Sequence, residues 1–196
     1  MAPVPANKVV RFGVYEAVVG TDSQWMVLRA DEGAAGGNIY ARRIHGDTTL
    51  TPLVTTPANE MNIGVSPNGK WLAYTTDASG TREVYVASLP DMRTNRLVSR
   101  GGGTEPRWAH SGRELFFESG GRLVVVAVGA GADLDASEPR PLFSVAGYRR
   151  ARNRPQYDVA PGDQRFLMIK DPPAPAVPPV IYVENWFKEL LAKVKQ

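Results

Sequence analysis

The sequence predicts an all-β protein, a β-propeller of four blades, each blade a four-stranded antiparallel sheet. Three observations lead there: a strand-turn-strand unit recurring four times, a spacing of 46, 43 and 51 residues between copies, and turn residues at the same place in each copy. That spacing is close to the length of one four-stranded blade.

The unit is clearest at Val65-Ser-Pro-Asn-Gly-Lys-Trp-Leu-Ala-Tyr74, which aligns with Trp108-Ala-His-Ser-Gly-Arg-Glu-Leu-Phe-Phe117 and Val159-Ala-Pro-Gly-Asp-Gln-Arg-Phe-Leu-Met168. A weaker fourth copy runs from Val19 to Leu28. Pro-Asn-Gly and Ser-Gly preset φ and supply left-handed positions that a strand interior disfavours, so each copy reads as strand, tight turn, strand. A third strand is predicted at Asn38–Ile44, Glu83–Leu89, Arg122–Val128 and Val180–Val183, and a fourth at Leu50–Val54, Arg96–Val98 and Arg140–Phe143. The last unit lacks a fourth strand, and Lys8–Phe12 is the piece expected to fill it, because chain ends that share a blade remove an exposed edge.

One domain over 1–196 is expected, with blades at about 14–54, 61–98, 104–143 and 155–183. A helix over 185–195 should follow, capped by Asn185, with Trp186, Phe187, Leu190, Leu191 and Val194 on one stripe. Asp171–Pro179 reads as an extended Pro-rich loop.

Composition narrows the function classes. Hydrophobic residues are 43% and charged residues 22%, ordinary for a folded soluble chain. The net charge of +3 and a pI near 9.3 are weak grounds for an anionic partner. With no cysteine, disulfides, thiolate catalysis and Cys-ligated zinc are excluded. No apolar run approaches the roughly 20 residues of a membrane helix, and the start has no apolar signal-peptide core. The Pro-rich leader after Met1 suits a piece excised from a longer protein.

Val65–Tyr74, followed by Glu83-Val-Tyr-Val86, resembles the WD40-like propeller repeat of TolB-type proteins. Gly102–Trp108, Gly112–Phe116, Tyr157–Pro161, Gln164–Met168 and Asn185–Leu190 are similar to the carboxy-terminal segment of bacterial receptor serine/threonine kinases. The resemblance covers Pro57 to Leu191 and is loose over the first 50 residues. It implies an extracytoplasmic sensor or interaction module. It carries over no phosphotransfer, since no kinase segment lies in this sequence. One departure stands out: Gly162-Asp163 reverses the usual Asp-Gly order of the turn.

Counting three residues back from each aligned first position gives Glu16, Asn62, Glu105 and Gln156, all polar and all expected where inner strands begin at the mouth of a central channel. They are the candidate ligand-binding residues, with Arg149, Arg150, Arg152 and Arg154 beside them as guanidinium donors for carboxylate or phosphate. Polar side chains at a channel mouth, and a solvated basic loop pairing with nearby Glu residues, are the structural alternatives.

Catalytic signals are poor. Ser66 falls in a propeller turn, not at a strand-to-helix nucleophile elbow, and His45 and His110 sit in turns away from the expected axis. Gly101-Gly102-Gly103 lacks the Lys-Ser/Thr of a phosphate cradle, and Asp133-Leu134-Asp135 is a calcium-loop fragment without its other ligands. No catalytic residue, metal site or cofactor is expected.

The reading is a non-catalytic sensing propeller that binds a protein or small anionic ligand at its mouth, with no role for nucleic acid. The alternative is the gating propeller of a prolyl-oligopeptidase-like hydrolase whose catalytic domain lies elsewhere. Four blades either close alone with strong curvature or form half of a larger ring, two copies joining as a homodimer with the amino-terminal strand and final helix at the seam.

Overall fold

The computed structural model describes residues 13–20, 24–31, 36–46, 49–129, 131, 133–149 and 156–170. Within them the chain is all-β, with fourteen strands in four antiparallel sheets, each ordered as its strands follow in sequence.

The first sheet holds β1 (Gly13–Val19), β2 (Trp25–Asp31), β3 (Gly37–Arg43) and β4 (Thr51–Val54). The second holds β5 (Glu60–Val65), β6 (Trp71–Thr76), β7 (Glu83–Ser88) and β8 (Asn95–Leu97). The third holds β9 (Thr104–Trp108), β10 (Glu114–Ser119), β11 (Arg122–Ala127) and β12 (Arg140–Ser144). In the fourth, β13 (Tyr157–Val159) pairs with β14 (Phe166–Met168), its only two strands among the described residues. The expected strands at Lys8–Phe12 and Val180–Val183, the Pro-rich loop and the helix over 185–195 lie outside the described residues.

The repeat is a backbone fact. The amides of Gly20, Ser66, Ala109 and Ala160 each donate to the carbonyl five residues on, at Trp25, Trp71, Glu114 and Arg165, over 2.8–3.0 Å. At the tip of three of these turns the backbone is left-handed, with φ of 70° at Gly69, 69° at Gly112 and 60° at Asp163. Glycine adopts that region freely and Asp does so more readily than most residues, which is how the reversed Gly-Asp order still makes the turn.

The sheets fan out from their first strands. β5 packs on β1, β2 and β3; β9 packs on β5, β6 and β7; β13 meets β9. The second and third sheets use both faces, because alternate side chains point opposite ways. On the second sheet, Leu72 and Tyr74 face back toward Val27 and Ile39 of the first. Trp71, Ala73, Val84 and Val86 face forward to Trp108, Leu115, Phe117, Val124 and Val126 of the third. On the third, Phe116, Leu123 and Val125 face forward to Tyr157 and Val159, and Phe116 meets Phe166 edge-on at 4.9 Å. Burying each such side chain contributes about 1.5–3 kcal/mol, so these three apolar seams hold the fan together.

Candidate functional site

The strand starts bring the predicted polar residues to one end of the inner strands. Glu16 is on β1, Asn62 on β5, Glu105 on β9, and Gln156 directly precedes β13. Pairing along the first three inner strands breaks at these positions: the register shifts between Val14 and Glu16, between Met61 and Gly64, and on β10 between the partners of Arg107 and Thr104. Asn62 and Glu105 take left-handed backbones, φ 54° and 58°. Such bulges leave a backbone amide without a partner in its own sheet.

The neighbouring sheet supplies the partner. The Glu16 carboxylate accepts from the amides of Asn62 (2.9 Å) and Ile63 (3.0 Å). The Asn62 carboxamide oxygen accepts from the Thr104 hydroxyl at 3.2 Å. The Glu105 carboxylate accepts from the Gln156 amide at 3.0 Å. At three successive seams, then, the side chain at this repeat position reaches forward into the next sheet. Asn62 and Glu105 are 0% and 4% exposed. These two are fasteners between sheets: their oxygen atoms tie each sheet to the next through the Thr104 hydroxyl and the Gln156 amide. Glu16 and Gln156 are half-buried.

Behind Glu16 lies a buried polar cluster that spacing did not reveal. Arg29 on β2 donates through Nε to the Glu60 carbonyl (2.6 Å) and through Nη2 to Asn59 Oδ1 (3.0 Å). Its guanidinium lies 3.9 Å from Glu16 and 3.8 Å from Asp31, with the Tyr15 ring over it at 5.1 Å. Glu60 is fully buried, and Oε1 accepts from Thr56 and Thr76 while Oε2 has no partner. Burial pushes its carboxyl above the usual range, against the pull of those two hydroxyls, and Asp77 nearby adds to the rise. The sequence signal was a pair of charges, Arg29 and Asp31, on an otherwise apolar strand that begins at Trp25, a pattern that more often marks a solvated face.

Between the third and fourth sheets a narrow crevice, with room for about one water, is lined by Glu105, Glu118, Tyr148, Arg149, Gln156 and Tyr157. It unites three predicted residues, Glu105, Arg149 and Gln156, with three that sequence reasoning missed. The buried Tyr157 hydroxyl donates to the Glu105 carbonyl at 2.8 Å, and burial pushes its pKa well above the ordinary value. Arg149 is exposed, its amide donating to the Ile169 carbonyl at 2.7 Å. Arg150, Arg152 and Arg154 lie outside the described residues.

Two other features bear on chemistry. Ser66 is buried; its hydroxyl donates to Asn68 Oδ1 (2.7 Å) and accepts from the Trp71 amide (2.9 Å), which makes it a turn staple. At the opposite end, Asp163 reaches from the fourth sheet to the third. Oδ1 accepts from the His110 amide at 2.7 Å and lies 3.2 Å from His110 Nδ1, while Oδ2 accepts from the Ser111 amide at 2.9 Å. Burial works against its ionised form, yet the bonds from Ser111 and His110 outweigh it and hold the carboxyl below its usual value. Ser, His and Asp meet here, but the Ser111 hydroxyl also turns to Asp163, whereas a nucleophile would need the imidazole as its base.

Among the described residues no group of three or more His, Cys, Asp or Glu gathers to hold a metal ion, and no helix is long and apolar enough to cross a membrane.

No family model and no curated protein matches the chain. Solved structures do. The chain is similar to TolB from Acinetobacter baumannii at 16% identity and a TM-score of 0.58, over 84% of this chain and 39% of that one. It is also similar to the periplasmic gluconolactonase PpgL of Pseudomonas aeruginosa at 21% identity and a TM-score of 0.49, over 85% of this chain and 50% of that one. The chain thus spans half or less of the length of these neighbours. The likeness to TolB shows the fold, a TolB-type β-propeller.

Proposed function

We propose that this TolB-type propeller is a non-catalytic recognition module, the extracytoplasmic sensor part of a larger bacterial receptor of the serine/threonine kinase kind, and that it takes a protein or small anionic ligand at the end where its inner strands begin. The supporting observation is the crevice between the third and fourth sheets, where Glu105, Arg149 and Gln156 arrive from three separate stretches of chain. Since the crevice admits about one water, recognition belongs to its rim: Arg149 supplies a guanidinium group suited to carboxylates, with Arg150, Arg152 and Arg154 following it in sequence, and Gln156 an adaptable carboxamide.

A non-catalytic reading agrees with the duties of the candidate nucleophile and base. Ser66 staples its own turn and His110 is held by Asp163 on the hairpin tips. Neither lines the crevice.

The test is titration of the 196-residue chain with a glutamate-rich peptide, followed by amide chemical shifts or calorimetry. Binding is expected to shift residues around 145–149 and 156–157 and to weaken at least tenfold in Arg149→Glu. Shifts confined to another face, or affinity unchanged in that variant, would overturn the site. Assays for esterase, peptidase and lactone hydrolysis should find no turnover; turnover lost in Ser66→Ala would favour the hydrolase alternative.

A further inference from the structure

The outer edge of each sheet leaves backbone groups unpaired, and the three outer strands β4, β8 and β12 treat that edge differently. β4 and β12 each carry a proline, Pro52 and Pro141, and each pairs with a register shift beside it. Proline and bulges are common means by which a sheet keeps its edge from taking another strand. β8 has neither: Asn95, Arg96 and Leu97 pair with Ala87, Val86 and Tyr85 without interruption. All three are exposed, Leu97 to 46%.

The register fixes which way the backbone of β8 points. The Val98 amide donates to the Val84 carbonyl and the Ser88 amide to the Thr94 carbonyl, both at 2.9 Å. In an antiparallel ladder every second residue bonds to the partner strand, so Arg96 faces inward with Thr94 and Val98, while the N–H and C=O groups of Asn95 and Leu97 face out. β8 ends its sheet, and no hydrogen bond satisfies these outward groups among the described residues. The side chains alternate as well. Arg96 lies opposite Val86, on the face turned to the third sheet, and donates to the Leu134 carbonyl at 3.2 Å. Leu97 lies opposite Tyr85, on the face turned to the first sheet. On the forward side runs a groove of about 210 Å³ lined by Arg96, Ser99, Arg100, Ser137 and Glu138. From Arg93 to Arg100 the chain has three arginines and no acid. Arg96 meets only a neutral carbonyl, and Arg93 and Arg100 meet Asp91 and Glu138 in exposed pairs, which contribute little and exchange readily.

We infer that β8 takes an extended segment of a partner protein as a fifth strand of the second sheet, a segment in which acidic and apolar residues alternate. Main-chain bonds to Asn95 and Leu97 give the affinity, and the alternate side chains give the selectivity. On one face of the added strand the side chains lie beside Arg96 and the groove; on the other they extend the apolar surface of Leu97 and Tyr85. A second copy of this chain is the poorer occupant, because two β8 edges side by side bring their arginines together, and like charges across a strand pair oppose it. This surface is separate from the crevice between the third and fourth sheets, and Arg149 has no part in it.

The test titrates the 196-residue chain with a capped peptide of about six alternating Glu and Val residues and follows amide chemical shifts. Shifts are expected along 93–100 and 136–139. Leu97→Pro removes an outward N–H and no ladder bond, so it should keep the parent's circular dichroism and weaken binding roughly tenfold or more. Arg96→Glu should weaken it likewise, and Arg149→Glu should leave it unchanged. N-methylating the peptide at all its Glu residues, or at all its Val residues, probes the main-chain bonds without altering the protein, and so decides the point should Leu97→Pro not fold. One set should abolish binding and the other spare it, since an added strand bonds through one edge only. Shifts absent from 93–100, full affinity in a folded Leu97→Pro, indifference to both N-methylated sets, or equal binding of an alternating Lys and Val peptide would each overturn the inference.

Discussion

The seam between the second and third sheets and the seam between the first and second solve the same packing problem differently. Across the former, Trp71, Val84 and Val86 meet Trp108, Leu115 and Phe117 in an apolar layer, with polar ties where Trp108 Nε1 donates to the Gly64 carbonyl at 3.1 Å and the Thr104 hydroxyl to the Asn62 carboxamide oxygen at 3.2 Å. Across the latter, a smaller apolar patch around Val27, Ile63 and Leu72 is joined at the mouth end by Arg29, Glu16, Asn59 and Glu60. The apolar seam gains its free energy from area and tolerates sliding; the polar seam gains less, since desolvation offsets attraction, but its bonds are made in one register only. The buried side-chain atoms left without partners among the described residues show the same division: Asp31, Asn38, Glu60, Asn62 and Thr75 belong to the first two sheets, and Arg107 to the third.

The most forceful way to break the contrast is Phe117→Ala, which empties the middle of the dry seam. It should cost about 3–5 kcal/mol, read as a fall in urea midpoint with little change in slope. Removing a partner from the polar seam comes next: Glu16→Ala takes the acceptor from two backbone amides and one of the two carboxylates beside Arg29, and should cost roughly 3 kcal/mol. If Glu16→Ala proved harmless, the polar cluster would not be what fixes the first sheet on the second.

The Asp163 fastener at the opposite end is exposed to more solvent, so Asp163→Ala should cost about 1–2 kcal/mol. Its folded carboxyl titrates below the unfolded one, so the native state binds fewer protons in the interval between. The stability it contributes is present above the unfolded value of 3.8 and is lost as pH falls through the lower folded value. Melting curves of Asp163→Asn should therefore lack that part of the acid limb.

Glu60 gives the smallest effect and the opposite sign. Its folded carboxyl titrates above the unfolded 4.5, so the native state holds the proton longer, and stability declines as pH rises from 4.5 through the folded value. Glu60→Gln should flatten this decline and gain roughly 1 kcal/mol or less at neutral pH. A variant that instead lost stability at neutral pH would mean that the ionised carboxylate is what the seam requires.

The sequence made the repeat readable because its turn must obey a backbone rule: a left-handed tip needs Gly69, Gly112 or Asp163 whatever the surroundings. The same regularity located Glu16, Asn62, Glu105 and Gln156. The burial of Asn62 and Glu105 was hidden, because the group that each oxygen meets belongs to another sheet some 40 to 50 residues away. Arg29 and Glu60 were missed for a related reason. A charge on a strand looks the same in sequence whether water or a neighbouring sheet surrounds it. In the crevice, Arg149 stood out because arginines cluster there, whereas Glu118 and Tyr157 sit among ordinary strand residues and are brought in only by the fan.

The fasteners at the repeat position of Glu16, Asn62 and Glu105 run one way, from each unit to its successor. A stretch of gene encoding one unit therefore carries both a hook and an eye, and tandem duplication would insert a new unit already able to engage its neighbours on either side. An inverted or shuffled unit would not, and so growth by head-to-tail copying is the evolutionary route that this chemistry favours.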